Sequence, residues 1–222
     1  MNRKRAAIAF SFALALALVC LPASAAERRY RETTGSVSTE YTSEITRDAA
    51  TGVVEILSRY PSTGETHRIR FGADGSAVFW SYRYPDGTIK TFTRSGNVVE
   101  CATDGAHAKD TRAAIDGAPW FASVNYGLSE LARDPSGDRG FWIVNPDNGK
   151  PYKMRAHTVG EETVSVNGVP TSAIKIRITV WGLPAAFFSM DYWYRKSDFI
   201  FVKSVGSENG PGSPKTTVEL IG

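Results

Sequence analysis

Four side chains able to do chemistry stand close together in the sequence: Cys101, Asp104, His107 and Asp110. On a helix, steps of three would line Asp104, His107 and Asp110 along one side, where two carboxylates and an imidazole offer ligands to a metal ion. The other chemistry open to this group pairs Cys101 as nucleophile with His107 as base. Gly105 disfavours the helix that the metal arrangement needs. The competing reading is a polar connection that follows a strand ending in a small cysteine. Further motifs are incomplete. Residues 127–131, Gly-Leu-Ser-Glu-Leu, lack the second glycine of a nucleophile elbow. No two histidines have metal-ligand spacing, and no glycine-rich loop opens a helix to hold phosphate. His67, His107 and His157 are far apart in sequence, and two of them fall on polar faces of strands. Asn145, Asp147 and Asn148 before Gly149 resemble an oxygen-rich calcium loop, yet no bidentate glutamate follows and Pro146 suits a turn. The sequence assigns no catalytic residue, no metal site and no cofactor.

Large rings are the more informative residues. Trp80, Tyr82 and Tyr84 alternate along one segment; Phe187, Phe188, Tyr192, Trp193 and Tyr194 crowd another, and Trp120 and Phe121 open a third. A strand with rings on both faces is buried on both, or it borders an apolar surface that something covers. Core packing is one reading of them. The other is an apolar cavity, because curved sheets with greasy interiors make ligand sites. On that reading the ligand-binding residues are Trp80, Tyr82, Tyr84, Trp120, Phe121, Phe188, Tyr192, Trp193 and Tyr194. Lys153, Arg155 and His157, with Lys175 and Arg177 nearby, form a basic face that is either a solvated sheet surface or a contact for anionic lipid headgroups.

The elements that must position these residues are short alternating segments parted by turn residues. In residues 37–45, Val37, Thr39, Tyr41 and Ile45 alternate with Ser38, Glu40, Thr42 and Glu44, the period of a half-buried strand. Further strands are expected at 53–60, 65–71, 76–84, 88–94 and 98–101, with glycine turns between them. Residues 104–118 read as a loop or a frayed helix. From Pro119 the spacing of Phe121, Val124, Leu128 and Leu131 predicts a helix near 119–133, weakened by Gly127. Strands then resume at 140–144, 152–159, 163–166, 174–180, 187–195, 199–205 and 215–221. Short connections favour antiparallel neighbours, and so long a sheet must curl. The expected fold is mainly β: a strongly curved antiparallel sheet, an incomplete barrel, with one helix packed on the concave side.

The N-terminus carries an address. Arg3, Lys4 and Arg5 precede an apolar run at 6–21 broken only by Ser11, then Pro22 and the small-x-small site Ala23-Ser24-Ala25. That order is a cleavable secretory signal at 1–26, leaving one β domain at 27–222 outside the cytoplasm. Val19 before Cys20 is bulkier than a lipidation site carries. The whole chain has 26 basic and 23 acidic residues; the signal removes three basic ones and leaves 23 of each. Balanced charge argues against nucleic acid as a partner. With Cys20 gone, Cys101 has no internal disulfide partner. No later segment is long and apolar enough to span a membrane.

The C-terminal third resembles a group of uncharacterised exported bacterial proteins. The resemblance rests on residues 166–170 (Val-Asn-Gly-Val-Pro), residues 192–198 (Tyr-Trp-Tyr-Arg-Lys-Ser-Asp), Phe201-Val202-Lys203 where the family often has Pro-Val, and the closing Val218-Glu219-Leu220. That family is similar in fold to the lipoprotein carriers LolA and LolB, incomplete barrels with a helical plug. The resemblance implies a periplasmic home and an apolar ligand, and it transfers no catalytic residue. Three functions stay open: a non-enzymatic protein binding a lipid or acyl chain, an envelope structural or interaction protein using a sheet edge or aromatic patch, and a hydrolase or metal enzyme.

Overall fold

A computed structural model of the chain describes residues 24–104, 110–134, 136–184, 188–207 and 213–222. The first meander comprises β1 (Ser24–Thr34), β2 (Val37–Arg47), β3 (Val54–Tyr60), β4 (Glu65–Phe71), β5 (Ala77–Arg83), β6 (Ile89–Ser95), β7 (Val98–Asp104) and β8 (Thr111–Ala114). The second comprises β9 (Asp138–Val144), β10 (Pro151–Val166), β11 (Val169–Val180), β12 (Ser189–Arg195), β13 (Phe201–Gly206) and β14 (Thr216–Leu220). All pair antiparallel in one sheet, and a single non-sequential pairing, β1 with β14, joins the two meanders. The sheet curls into a nearly closed barrel with β8 and β9 at its edges, as the alternation implied. Of the signal expected at residues 1–26, residues 1–23 lie outside the described residues, and Ser24 to Ala26 open β1.

The helix is far shorter than its periodicity suggested. Residues 124–127 form α1 (Val124–Gly127), and a 3-10 turn follows at Leu131–Arg133. Residues 119–121 are extended instead, because their backbone groups are engaged elsewhere. Trp142 N donates to the Pro119 carbonyl and Phe121 N to the Trp142 carbonyl, both at 2.8 Å. Ala77 N donates to the Trp120 carbonyl at 2.7 Å, and Trp120 N donates to the Ser76 hydroxyl at 3.0 Å. A helix would need those same groups for itself. The segment thus fills the seam between the sheet edge at β9 and the start of β5. Asp116 reinforces it, accepting from the Trp142 indole at 2.8 Å and pairing with Lys153.

Other departures have similar causes. Residues 111–114, read as loop or frayed helix, make β8. Residues 152–159 and 163–166 are one strand, β10, bent by a bulge at Thr158/Gly160 where Gly160 has φ 144°. Beyond that bend the β10–β11 hairpin curls over the outer face of β12 and β13. There Val166, Ala173, Trp193 and Val202 form a small separate core. An irregularity between β4 and β5 sets Phe71 opposite Ala77 and Arg70 opposite Phe79, leaving Val78 over and 40% exposed. Two larger clusters line the concave side. One gathers Phe121, Leu128, Phe141, Met154, Ile176 and Tyr194; the other gathers Ile56, Ile69, Phe71, Trp80, Phe92 and Trp120.

Trp120 is fully buried in the seam. Trp120→Ala is expected to reduce the unfolding free energy by about 3–5 kcal/mol, read from the urea midpoint. A loss below about 1 kcal/mol would show that the barrel does not lean on this plug.

Candidate functional site

Curvature brings inward-facing side chains of β1 to β5 onto one concave wall, and register sorts them into rows. Arg28, Ser43, Ser58, His67 and Tyr82 stand directly opposite one another, strand after strand. One step along, Ile45, Ile56, Ile69 and Trp80 make an apolar row. On the other side Tyr30 faces Tyr41, whose ring stacks on Tyr60 at 4.7 Å. These rows, with Ala122 to Tyr126 around α1 and residues 198–201, line an open cavity of ≈ 600 Å³. That lies within the range of small-molecule sites. The interior is not filled by its own side chains and the short helix.

The rings form a continuous ladder. Phe201 contacts Tyr30 at 5.6 Å, Tyr30 stacks on Tyr41 at 5.3 Å, and the run continues through Tyr60 to His67 at 5.5 Å. His67 stacks on Tyr82 at 4.2 Å, and Tyr82 on Tyr84 at 4.0 Å.

Burial sets the electrostatics. It raises the Tyr30 and Tyr41 phenols, and it pushes Tyr82 up to about 12, helped by Glu65, which accepts the Tyr82 hydroxyl at 3.2 Å. It lowers the His67 imidazole to about 4, so this ring is neutral near pH 7. The Ser43 and Ser58 hydroxyls bond each other at 2.7 Å. The Trp80 indole N–H is buried without a partner among the described residues.

The rings proposed from sequence divide. Trp80, Tyr82 and Tyr192 line the cavity. Tyr84 continues the ladder and donates to the Pro146 carbonyl at 3.4 Å and to Asp147 at 3.3 Å. Trp120 and Phe121 are buried in the seam and core, and Phe188 packs against the first cluster. Tyr194 is fully buried, its hydroxyl held by the Asn125 carbonyl at 3.0 Å. Trp193 points to the outer face and donates to Glu162 at 2.6 Å. Phe187 lies outside the described residues. The sequence reading missed Tyr30, Tyr41, Tyr60, Phe201 and His67. His67 shares the inward phase of Ile69 and Phe71 and does not stand on the polar face.

The other candidates are placed as follows. Cys101 faces inward on β7, and burial raises its thiol, which keeps it protonated. Asp104 ends β7, and Asp110 accepts the Thr103 N–H at 3.3 Å just before β8. The two carboxylates therefore flank a strand-to-strand connection; His107 lies outside the described residues. Among the described residues no group of three metal-ligating side chains comes together. Asn145 Oδ1 accepts from the backbones of Asp147 and Asn148, the geometry of a turn. The basic face is neutralised: Lys153 pairs with Asp116, Arg155 with Asp138, and Lys175 and Arg177 with Asp191.

His67 takes up a proton more readily in the unfolded chain, at its ordinary value of 6.5, than in the fold, at about 4. Stability is therefore full above pH 6.5 and falls as pH drops toward 4, by on the order of 2–3 kcal/mol. His67→Phe is expected to flatten thermal melts across that window. A variant with the wild-type pH profile would contradict the assignment.

No family model matches the chain, and no curated protein matches it. Among solved structures it is similar to a β-barrel-like protein of the domain of unknown function DUF1849 from Brucella abortus. That match has a TM-score of 0.52 and 8% identity over 88% of this chain and 95% of that one. MucB aligns over 90% of this chain and 52% of its own, with a TM-score of 0.36 and 10% identity, and no argument rests on it. The likeness is one of fold. It agrees with the barrel that the C-terminal resemblance implied.

Proposed function

We propose that this is an exported, periplasmic, non-enzymatic protein that holds a lipid or acyl chain in the concave side of its barrel. The cavity of ≈ 600 Å³ carries the reading: it lies against Ile45, Ile56, Ile69 and Trp80, and neither α1 nor the core clusters fill it. The signal-like residues 1–26 and the resemblance to the LolA and LolB carriers support the location and the ligand class. An apolar chain entering such a site gains about 0.8 kcal/mol per buried CH₂.

A partner-binding role has one observation of its own. Trp181 and Leu183, just beyond β11, are 51% and 53% exposed. The β9 edge, by contrast, is already bridged by Trp120. Crosslinking in cells that captures one reproducible partner through Trp181 would favour this role.

Native mass spectrometry of the mature protein tests the carrier reading. Added fatty acids and lysophospholipids are expected to bind one per chain, and Ser58→Trp, which places a ring in the cavity, is expected to weaken uptake at least about tenfold. A clean apo mass with every lipid offered would end it.

A further inference from the structure

The cavity is not uniformly greasy, and the distribution of its charges selects among greasy guests. Four carboxylates line it. Glu65 accepts the Tyr82 hydroxyl at 3.2 Å, Glu130 faces Arg133 at 3.6 Å, Asp198 pairs with Arg195 at 2.6 Å and lies in the field of Arg28, and Glu32 bears on Tyr41 and Tyr82 at the other side. Two arginines on the same wall are not matched in this way. Arg28 on β1 and Arg47 at the end of β2 both line the cavity, and among the described residues neither has a carboxylate within ion-pair distance. The Tyr126 hydroxyl on α1 accepts from Arg47 at 3.3 Å, and Arg28 stands on the neighbouring strand opposite Ser43, with Glu130 also acting on Tyr126.

Deeper along the wall the polar row continues as Ser43, Ser58 and His67, and no hydrogen bond from a described residue reaches the imidazole. Beside it Trp80, 5% exposed, keeps an indole N–H without an acceptor. Buried donors are ordinarily paired, and the Trp120 indole in the seam is unpartnered in the same way among the described residues. Donors and cations thus run along one wall while the isoleucines beside them are apolar.

We propose, building on the carrier reading above, that the occupant is an amphiphile with one anionic oxygen head group. The head is held between Arg28 and Arg47, and the apolar body lies along Ile45, Ile56, Ile69 and Trp80. Guanidinium groups suit this role because they meet carboxylate or phosphate oxygens through paired N–H donors.

Matched twelve-carbon chains test it by calorimetric titration at pH 7, below their micellar concentrations: dodecanoate, dodecyl phosphate, dodecanol and dodecyltrimethylammonium. Both anions are expected to bind at least about tenfold tighter than the alcohol, and the cation more weakly than the alcohol. The ratio between the two anions tells a carboxylate site from a phosphate one. Arg28→Met and Arg47→Met should each bring the anion-to-alcohol ratio toward one, with Arg28→Lys keeping most of it; unchanged melting curves certify that the variants fold. Equal affinity for all four chains would overturn head-group recognition while leaving cavity binding in place. A preference for the cation would overturn it as well. If none of the four binds, the carrier reading falls with it.

Discussion

The structure depends on how the β9 end of a fourteen-strand sheet is satisfied. A sheet that long cannot stay flat, and once curled it brings its unpaired edges close without making them match. Here the backbone of residues 119–121 is the connector. It pairs with β9 at Trp142 and reaches the start of β5 through Ala77 and the Ser76 hydroxyl. The Trp120 side chain fills the space beneath. The polar groups of an edge are met by a strand-like segment where sequence periodicity had suggested a helix, and the wall opposite is left free to be hollow.

Much of this was legible residue by residue. Alternation in 37–45 and in the isoleucine strand of β11 reported strands directly, since one face of each is buried and the other is not. What failed were places where a local rule was overruled by a distant partner. The spacing of Phe121, Val124, Leu128 and Leu131 does place buried residues, but the backbone they share is claimed by Trp142 and Ala77. Gly160 looked like a break between two strands. It is a bend within one, because a glycine with positive φ lets the hairpin turn outward over Trp193.

The site was less legible than the fold for a related reason. Its wall is written across strands: Arg28, Ser43, Ser58, His67 and Tyr82 come from five of them, one residue each. Neighbours in that row are nine to fifteen residues apart in sequence. Trp80 and Tyr82 were visible because they cluster on β5, whereas Tyr30, Tyr41 and Tyr60 are lone rings that only register assembles. Conversely, the densest ring cluster, Tyr192-Trp193-Tyr194, is mostly structural, with Trp193 serving the outer core and Tyr194 clamping α1.

The pairing of β1 with β14 has a kinetic meaning. Every other ladder joins neighbours in sequence, so each can form as a hairpin soon after its residues are available. Tyr30 meets Leu220, and the Arg29 backbone bonds Gly222 and Ile221, only when nearly the whole chain has been brought into a loop. The entropy of that closure grows slowly with length but must be met before any contact rewards it. Among the described residues the two half-barrels share no other ladder, and the cavity wall, whose first strand is β1, belongs to the half that this closure ties to β14.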